Sequence, residues 1–292
     1  MANFPSIQPR NGGRPFRLRI DWLQLIALFF LGICALLMLL PLLWMFSTSL
    51  RASHESFNLP PAFLPTSWHW ENYEAVFNSS VPVIRLVGNS MFVTAFVTLG
   101  QLITCSMAGY AFARLRFPGK NVLFILLLAA LMVPAQVTII PVFIVMKNLG
   151  LIDSLYALIL PALTSPFGVF LMRQHFLTLP QELVDAAKID GAGYWITYFY
   201  IAIPLAGPAL AALGVLTFNW TWNAYFQPLI FINTWEKMTL PLGIGALRSY
   251  MGVGNPSVIL AAVTLAILPV LTIFLVAQRW IIEGMVRSGL KG

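Results

Sequence analysis

The sequence predicts an all-α polytopic membrane protein with six transmembrane helices and both termini cytoplasmic. Three observations carry that expectation. Of 292 residues, 59% are hydrophobic and only 9% charged, and the mean hydropathy is +0.83; a soluble domain of this length needs far more charge to cover its surface. The apolar residues come in runs of about 20, the number a helix needs to cross hydrocarbon. The basic residues flank those runs and fall unevenly on their two sides.

Residues 1–21 are polar and basic, with Arg10, Arg14, Arg17 and Arg19 among Pro and Gly, and read as a loosely ordered cytoplasmic tail. Residues 22–292 read as one membrane domain with its core at about 86–280. The first apolar run, Trp22 to about Phe46, exceeds the roughly 7–15 residues of a signal-peptide core and lacks a convincing small-residue cleavage site, so it reads as an uncleaved span. Arg51 to about Pro82 is the longest polar connection. It holds Glu55, Pro60, Pro61, Pro65, Trp68, Trp70, Glu71, Asn72 and Tyr73, and aromatics beside prolines suit a segment at the membrane surface.

Further spans are expected near Val87–Phe112, Val122–Val145, Leu155–Met172, Phe199–Phe218 and Val258–Val276. Pro134 and Pro141 interrupt the third and Pro161 the fourth, and broken backbone is tolerated at membrane depth only where protein or a cavity satisfies it. Twelve of the 17 Lys and Arg, among them Arg114, Arg116, Lys120, Arg173 and Lys188, fall on the side of the termini; Arg51, Arg85, Lys147, Lys237 and Arg248 fall on the other. The more basic side is the cytoplasmic one.

Between the fourth and fifth spans lies DAAKIDGAGYWITYFYIAIPL, Asp185 to Leu205, whose first half is too polar for hydrocarbon. Pro180 suits a first helical turn and Glu182 meets the positive end of the helix dipole. Leu183, Ala186, Ala187 and Asp190 share one face at helical spacing, and small side chains there let another backbone approach. Gly191 permits φ > 0, so the chain can turn sharply before a new helix near Tyr194. The alternative is an ordinary capped loop helix with Asp185 and Lys188 as a solvated pair.

Several function classes find no support. Cys34 and Cys105 lie inside apolar runs and read as small hydrophobes. The net charge of +7 forms no patch, which speaks against nucleic acid. His54, His69 and His175 are widely separated, so no metal site is expected, and no phosphate-binding loop or nucleophile elbow occurs; no catalytic residue is assigned. A second cluster, Asn219, Trp220, Trp222, Asn223 and Gln227, closes the fifth span. Amides beside indoles can bind a sugar, so Asn219, Trp220, Trp222 and Asn223 are substrate-pathway candidates; an interfacial aromatic belt is the competing reading.

The Asp185–Leu205 stretch resembles the EAA motif of ABC-importer inner-membrane permeases, through Asp185, Ala186, Ala187, Gly191, Ile203 and Pro204, with Asp185 standing where the family usually has Glu. Trp222, Asn223, Pro228 and Leu229, with Leu240, Pro241 and Leu242, are similar to the carbohydrate-uptake subgroup. The ending Gln278, Arg279, Gly284, Gly289, Lys291 and Gly292 resembles maltose and glycerol-3-phosphate type permeases. The resemblance implies a pore-forming subunit, not an enzyme, of an importer for a sugar or sugar-like solute in the bacterial inner membrane. It implies a second permease subunit, two cytoplasmic ATPase subunits that bind ATP and Mg, and an extracytoplasmic solute-binding protein. Leu183, Asp185, Ala186, Ala187, Asp190, Gly191 and Pro204 would then form the short cytoplasmic coupling helix and its turn. An ion-gradient-driven secondary transporter is the alternative, but it would want ionisable groups or inverted repeats within the spans, and these runs are nearly free of charge.

Overall fold

Lipid offers the backbone no hydrogen bonds, so a chain this apolar must satisfy its main-chain groups within each segment. The computed structural model describes residues 22–57, 63–78, 83–250 and 255–289, and among them every regular element is helical. The tail at 1–21, Pro60, Pro61, Lys291 and Gly292 lie outside the described residues.

The chain falls into two units, one ending at Met45 and one beginning at Phe46. The first is nearly all of α1 (Trp22–Ser49), a 28-residue helix. At 1.5 Å per residue it extends roughly 42 Å, more than the hydrocarbon thickness of about 30 Å. Its large apolar side chains from Trp22 to Trp44 are exposed, as expected of a helix that takes lipid as solvent.

In the second unit, a 3₁₀ turn at Ser53–Phe57 leads towards α2 (Glu71–Phe77). Asn72 is buried, and its amide donates to the carbonyls of Ser49 and Arg51, both at 2.9 Å. The Tyr73 hydroxyl pairs with Ser49 Oγ at 2.8 Å. The Asn-Tyr dipeptide thus stitches this polar connection back to the end of α1.

The second span is α3 (Val83–Arg114), 32 residues without a break. The third is α4 (Lys120–Ala130) followed by α5 (Ala135–Asn148), which meet at 103°. Pro134 stands at that break, as the N-cap of α5, whereas Pro141 lies inside α5 and does not interrupt it. The fourth comprises α6 (Tyr156–Ile159), a 3₁₀ turn at Leu160–Ala162 containing Pro161, and α7 (Pro166–Thr178). Ser165 caps α7 by accepting the Gly168 N–H at 3.0 Å.

Next come α8 (Gln181–Ile189), α9 (Tyr194–Thr197), a π-helical turn at Tyr198–Ala202, α10 (Ile203–Leu205) and α11 (Gly207–Trp222). The expected fifth span at Phe199–Phe218 straddles a 76° bend between Leu205 and Gly207, so it is a bent pair of helices and not one straight helix. Pro204 and Pro208 flank that bend, and neither can donate the N–H that would carry a straight helix across it. After α12 (Phe226–Phe231), a 3₁₀ turn at Trp235–Lys237 and α13 (Leu240–Tyr250), the chain ends in α14 (Pro256–Gly289), whose apolar part is Pro256–Val276. Among the described residues, four stretches are long and apolar enough to cross a membrane, six if each bent pair is one span.

α3 is the axis of this unit, with α7 and α11 packed along it. The approach of α3 to α7 depends on Gly109: a Cβ there would lie 2.6 Å from Met172 Cβ and 2.8 Å from the Arg173 nitrogen. Small residues at such crossings supply the van der Waals contact that joins helices where no hydrophobic effect operates. The core runs in three groups along α3. One gathers Leu86, Phe218 and Trp222, a second Val97, Leu158 and Phe231, and a third Tyr110, Phe176 and Tyr198.

Candidate functional site

Outside the spans, where α3 and α7 end, the stub helix α8 is sharply bounded. Its N-cap is Pro180, and Asp190 is its C-cap. Gly191 follows at φ 80°. The Gly191 N–H donates to the Lys188 carbonyl at 3.0 Å and the Ala192 N–H to the Ala187 carbonyl at 2.8 Å. These two bonds are a Schellman ending, which a residue without Cβ adopts at least strain. The chain then starts α9 at Tyr194.

The stub has two faces. Val184 and Ala187 are buried against the bundle. Leu183, Ala186, Ile189 and Asp190 are exposed, Leu183 by 42% and Ile189 by 87%. Ala187, expected on the outward face with Leu183 and Ala186, therefore points inward, and Ile189 takes its place outside. The physical reason is that Val184 and Ala187, three apart, are the pair whose face meets the bundle. Nothing in the helical spacing alone distinguished the two faces.

Arg114, the last residue of α3, moors this helix. Its Nε donates to the Phe176 carbonyl at 3.0 Å, one Nη to the Gln181 side chain at 2.5 Å, and the other to the Leu179 carbonyl. Gln181 Nε2 in turn donates to Asp185 Oδ1 at 3.1 Å, which also receives Lys188 Nζ at 3.4 Å. A polar chain thus runs from the end of the second span along the stub. Arg173 answers from α7, donating to the Phe112 carbonyl at 3.2 Å while its guanidinium lies 4.0 Å over the Phe124 ring. Beneath the stub, Tyr110, Arg114, Val184, Lys188 and Thr197 line a cavity of about 250 Å³. Arg114 and Gln181 escaped the sequence reading, because an arginine at a span end carries only a topology signal until its acceptors are placed. Pro204 lies in α10, beyond the π-helical turn and apart from the stub.

The second cluster is divided by the fold. Trp222 is buried, stacked on Phe218 at 5.6 Å between ring centroids, and its indole N–H donates to the Ala266 carbonyl at 3.0 Å. It is a core residue that joins α11 to α14, which corrects its place among the pathway candidates. Asn219, Trp220 and Asn223 are exposed, with Asn223 Nδ2 donating to Asn219 O at 2.8 Å and to Asn219 Oδ1 at 3.1 Å. Of the four, Trp220 lines a cavity, with Gln227 and Thr239.

At the other end of α3, Asp153 holds two loops together. It has φ 59°, a left-handed conformation rare outside Gly, Asn and Asp. Its carboxylate accepts the N–H groups of Asn233 and Thr234, both at 2.9 Å, the Thr234 hydroxyl at 2.5 Å and Lys237 Nζ at 2.8 Å. Burial pushes the carboxyl pKa up, but the bonds from Lys237, Thr234 and Asn233 outweigh it and hold it far below the usual carboxylate range. Asn89 of α3 ties in beside it, donating to the carbonyls of Glu236 at 2.8 Å and Met238 at 2.9 Å.

Residues 101–287 match the family described as binding-protein-dependent transport system inner membrane component. The chain is 34% identical over 275 residues to the arabinooligosaccharides transport system permease protein AraQ of Halalkalibacterium halodurans, covering 94% of this chain and 97% of that one. It is 34% identical over 259 residues to the sn-glycerol-3-phosphate transport system permease protein UgpE of Yersinia enterocolitica, covering 87% and 92%. Among solved structures, a chain of a bacterial ABC transporter involved in the import of the acidic polysaccharide alginate superposes with a TM-score of 0.76 at 26% identity, covering 91% of this chain and 99% of that one. With its polytopic helical bundle, this chain belongs to the family of binding-protein-dependent transport system inner membrane components.

Proposed function

We propose that the chain is the permease subunit of an ATP-driven importer that moves a sugar or sugar-like solute into the cytoplasm across the bacterial inner membrane. The observation that carries this reading is the stub α8: a short helix outside the spans, moored by Arg114 and turned by Gly191, with Leu183, Ala186 and Ile189 uncovered. Membership of the family supports it, as do relatives named for arabinooligosaccharide, glycerol-3-phosphate and alginate import. Both termini and the stub face the cytoplasm by the distribution of basic residues.

In this reading a second permease faces this one across the pathway, a solute-binding protein delivers the solute from outside, and two ATPase subunits sit below. ATP and Mg belong to those ATPases; the permease has no chemistry of its own to perform. Its task is mechanical. Leu183, Ala186 and Ile189 seat in a cleft of one ATPase, and Asp190 and Asp185 meet its polar rim. When ATP draws the ATPases together, the stub moves with them. Arg114 and Arg173 tie that motion to α3 and α7 through main-chain carbonyls, so the spans follow as a body instead of the loop yielding. The ATPases shift the permease only to the extent that they bind one of its states better. A firm mooring is what lets that difference reach the spans.

The test is uptake by the complete importer reconstituted in proteoliposomes with its ATPases and binding protein. Replacing Leu183 and Ile189 by Asp leaves the buried Val184–Ala187 face intact, and ATP-driven uptake should fall to background. Uptake at the normal rate in that double variant would contradict the reading.

A further inference from the structure

Two cavities of opposite character meet where α3 leaves its span. The one beneath the stub, about 250 Å³, has Arg114, Lys188, Tyr194 and Thr197 in its wall. The other, about 180 Å³, is lined by Met107, Tyr110, Ala111, Leu115, Trp195 and Tyr198, with the same Tyr194. Tyr110, Leu115 and Tyr194 stand in both walls, so the basic cavity adjoins the apolar one.

The two lie at different depths. Met107, Ala111 and Leu115 follow one another at i, i+4 spacing down one face at the end of α3, which carries the apolar cavity roughly 12 Å back along the helix towards the bilayer centre. The Tyr198 hydroxyl is taken by Ser106 Oγ at 2.7 Å, leaving the ring to the wall. The basic cavity lies at the level of the stub, outside the spans. Between them Tyr194 and Trp195 are 69% and 61% exposed, at the depth where amphipathic rings collect on a membrane surface. Both cations keep donors to offer. A guanidinium carries more N–H groups than Arg114 uses on Phe176, Leu179 and Gln181. Among the described residues Lys188 Nζ donates only to Asp185, at 3.4 Å, a carboxylate outside the cavity wall.

We infer that the adjoining cavities bind one anionic phospholipid of the leaflet on the stub's side, its phosphate beside Arg114 and Lys188 and the start of an acyl chain beside Met107 and Ala111. A soluble anion accounts for the basic cavity alone, and a neutral apolar molecule for the other alone. An amphiphile with a negative head and a tail directed into the bilayer matches both, and a span end already borders such molecules. Basic pockets between span ends on the cytoplasmic side are where anionic headgroups bind. Because Arg114 also moors α8, a phosphate held here braces the stub from below. The inference rests on the membrane orientation given by the basic residues and is independent of which solute the importer carries.

The experiment takes the full chain, purified in mild detergent with the subunits that accompany it, and measures lipid binding by native mass spectrometry during titration with dioleoylphosphatidylglycerol or dioleoylphosphatidylcholine, with inorganic phosphate as competitor. The wild type should bind phosphatidylglycerol in preference to phosphatidylcholine, and inorganic phosphate should displace none of it. Lys188→Gln should weaken phosphatidylglycerol binding about fivefold, the effect of one basic residue at a membrane surface. Ala111→Phe, which puts a ring into the apolar cavity and leaves both cations in place, should weaken it at least as much. The same spectra show whether each variant keeps its subunits, and Lys188 is exposed on α8, so its charge can be removed without touching the core. Equal binding of the two lipids by the wild type overturns the anionic head. Displacement by inorganic phosphate overturns the lipid in favour of a soluble anion. Undiminished phosphatidylglycerol binding in either assembled variant overturns the site.

Discussion

The two ends of α3 are built from the same device and left in opposite conditions. At one end Arg114 reaches the carbonyls of Phe176 and Leu179; at the other Asn89 reaches those of Glu236 and Met238. The 25 helical steps from Asn89 to Arg114 place the two anchors roughly 37 Å apart at 1.5 Å per residue. Both ties run from a span to main-chain acceptors at or beyond the end of another element, so both fix where the chain leaves it. The Asn89 end then completes itself, since Asp153 and Lys237 answer each other and Asp153 also accepts the Thr234 and Asn233 N–H groups. The Arg114 end holds up a helix whose outer apolar side chains are exposed and whose underside covers a cavity. The Asn89 end pairs its own charges, Asp153 with Lys237, beside a cavity of about 490 Å³, whereas the Arg114 end leaves the apolar Leu183, Ala186 and Ile189 exposed.

The largest expected effect comes from the turn that aims the uncovered end. Gly191→Val forces a β-branched residue to φ 80°, a strain of about 1–3 kcal/mol, and should lower ATP-driven uptake by tenfold or more while ATP hydrolysis continues. Gly191→Asn, which tolerates the left-handed region, should keep most uptake. Parallel uptake and hydrolysis assays on both variants separate a backbone effect from a general loss of folding.

Next in size is Arg114→Ala, which strands two carbonyls and the Gln181 amide. About 2–3 kcal/mol of local stability should be lost, read as greater amide-hydrogen exchange across 176–190. Arg114→Lys should recover only part, because a single ammonium cannot reproduce the planar fork. Equal protection in wild type and Arg114→Ala would remove the mooring from the account.

The Asp153 end should respond to pH. Asp153 has its pKa depressed in the folded state, so its stabilisation is fully present above the unfolded value of about 3.9 and is lost as pH falls towards the lower folded value. Thermal stability should therefore show no pH dependence from Asp153 between about pH 5 and 8, and a decline below that range. Asp153→Asn keeps an acceptor for the Asn233 and Thr234 N–H groups and tolerates the same φ, so its midpoint should drop by only about 1 kcal/mol equivalent at neutral pH and lose that acid dependence. The smallest effect belongs to Asp185→Asn, which removes an exposed ion pair worth about 0.3 kcal/mol; a change in uptake without a change in stability would then assign Asp185 to the ATPase contact.

The spans and the stub were legible in the sequence because composition and local chemistry decide them. Apolar runs have one cheap environment, and Pro180 and Gly191 set the limits of α8 by backbone constraints that need no knowledge of the rest of the chain. What was not legible depends on contacts distant in sequence. The helical spacing put Ala187 with Leu183 and Ala186, yet the fold buries Val184 and Ala187 instead. Asn219, Trp220, Trp222 and Asn223 read as one polar cluster, but the packing of α14 buries Trp222 and leaves Trp220 outside. The bend at Ala206 escaped for another reason: the run from Phe199 to Phe218 is continuously apolar, and hydropathy is blind to the direction of the axis.

The central claim is that the uncovered stub is where an ATPase subunit docks. The most direct test is purification of the full chain from its native host in mild detergent, wild type beside the Leu183→Asp/Ile189→Asp variant, with bound proteins identified by mass spectrometry. The account predicts an ATPase subunit carried by the wild type and lost from the variant, while the second permease stays with both. An ATPase retained equally by both chains would contradict it.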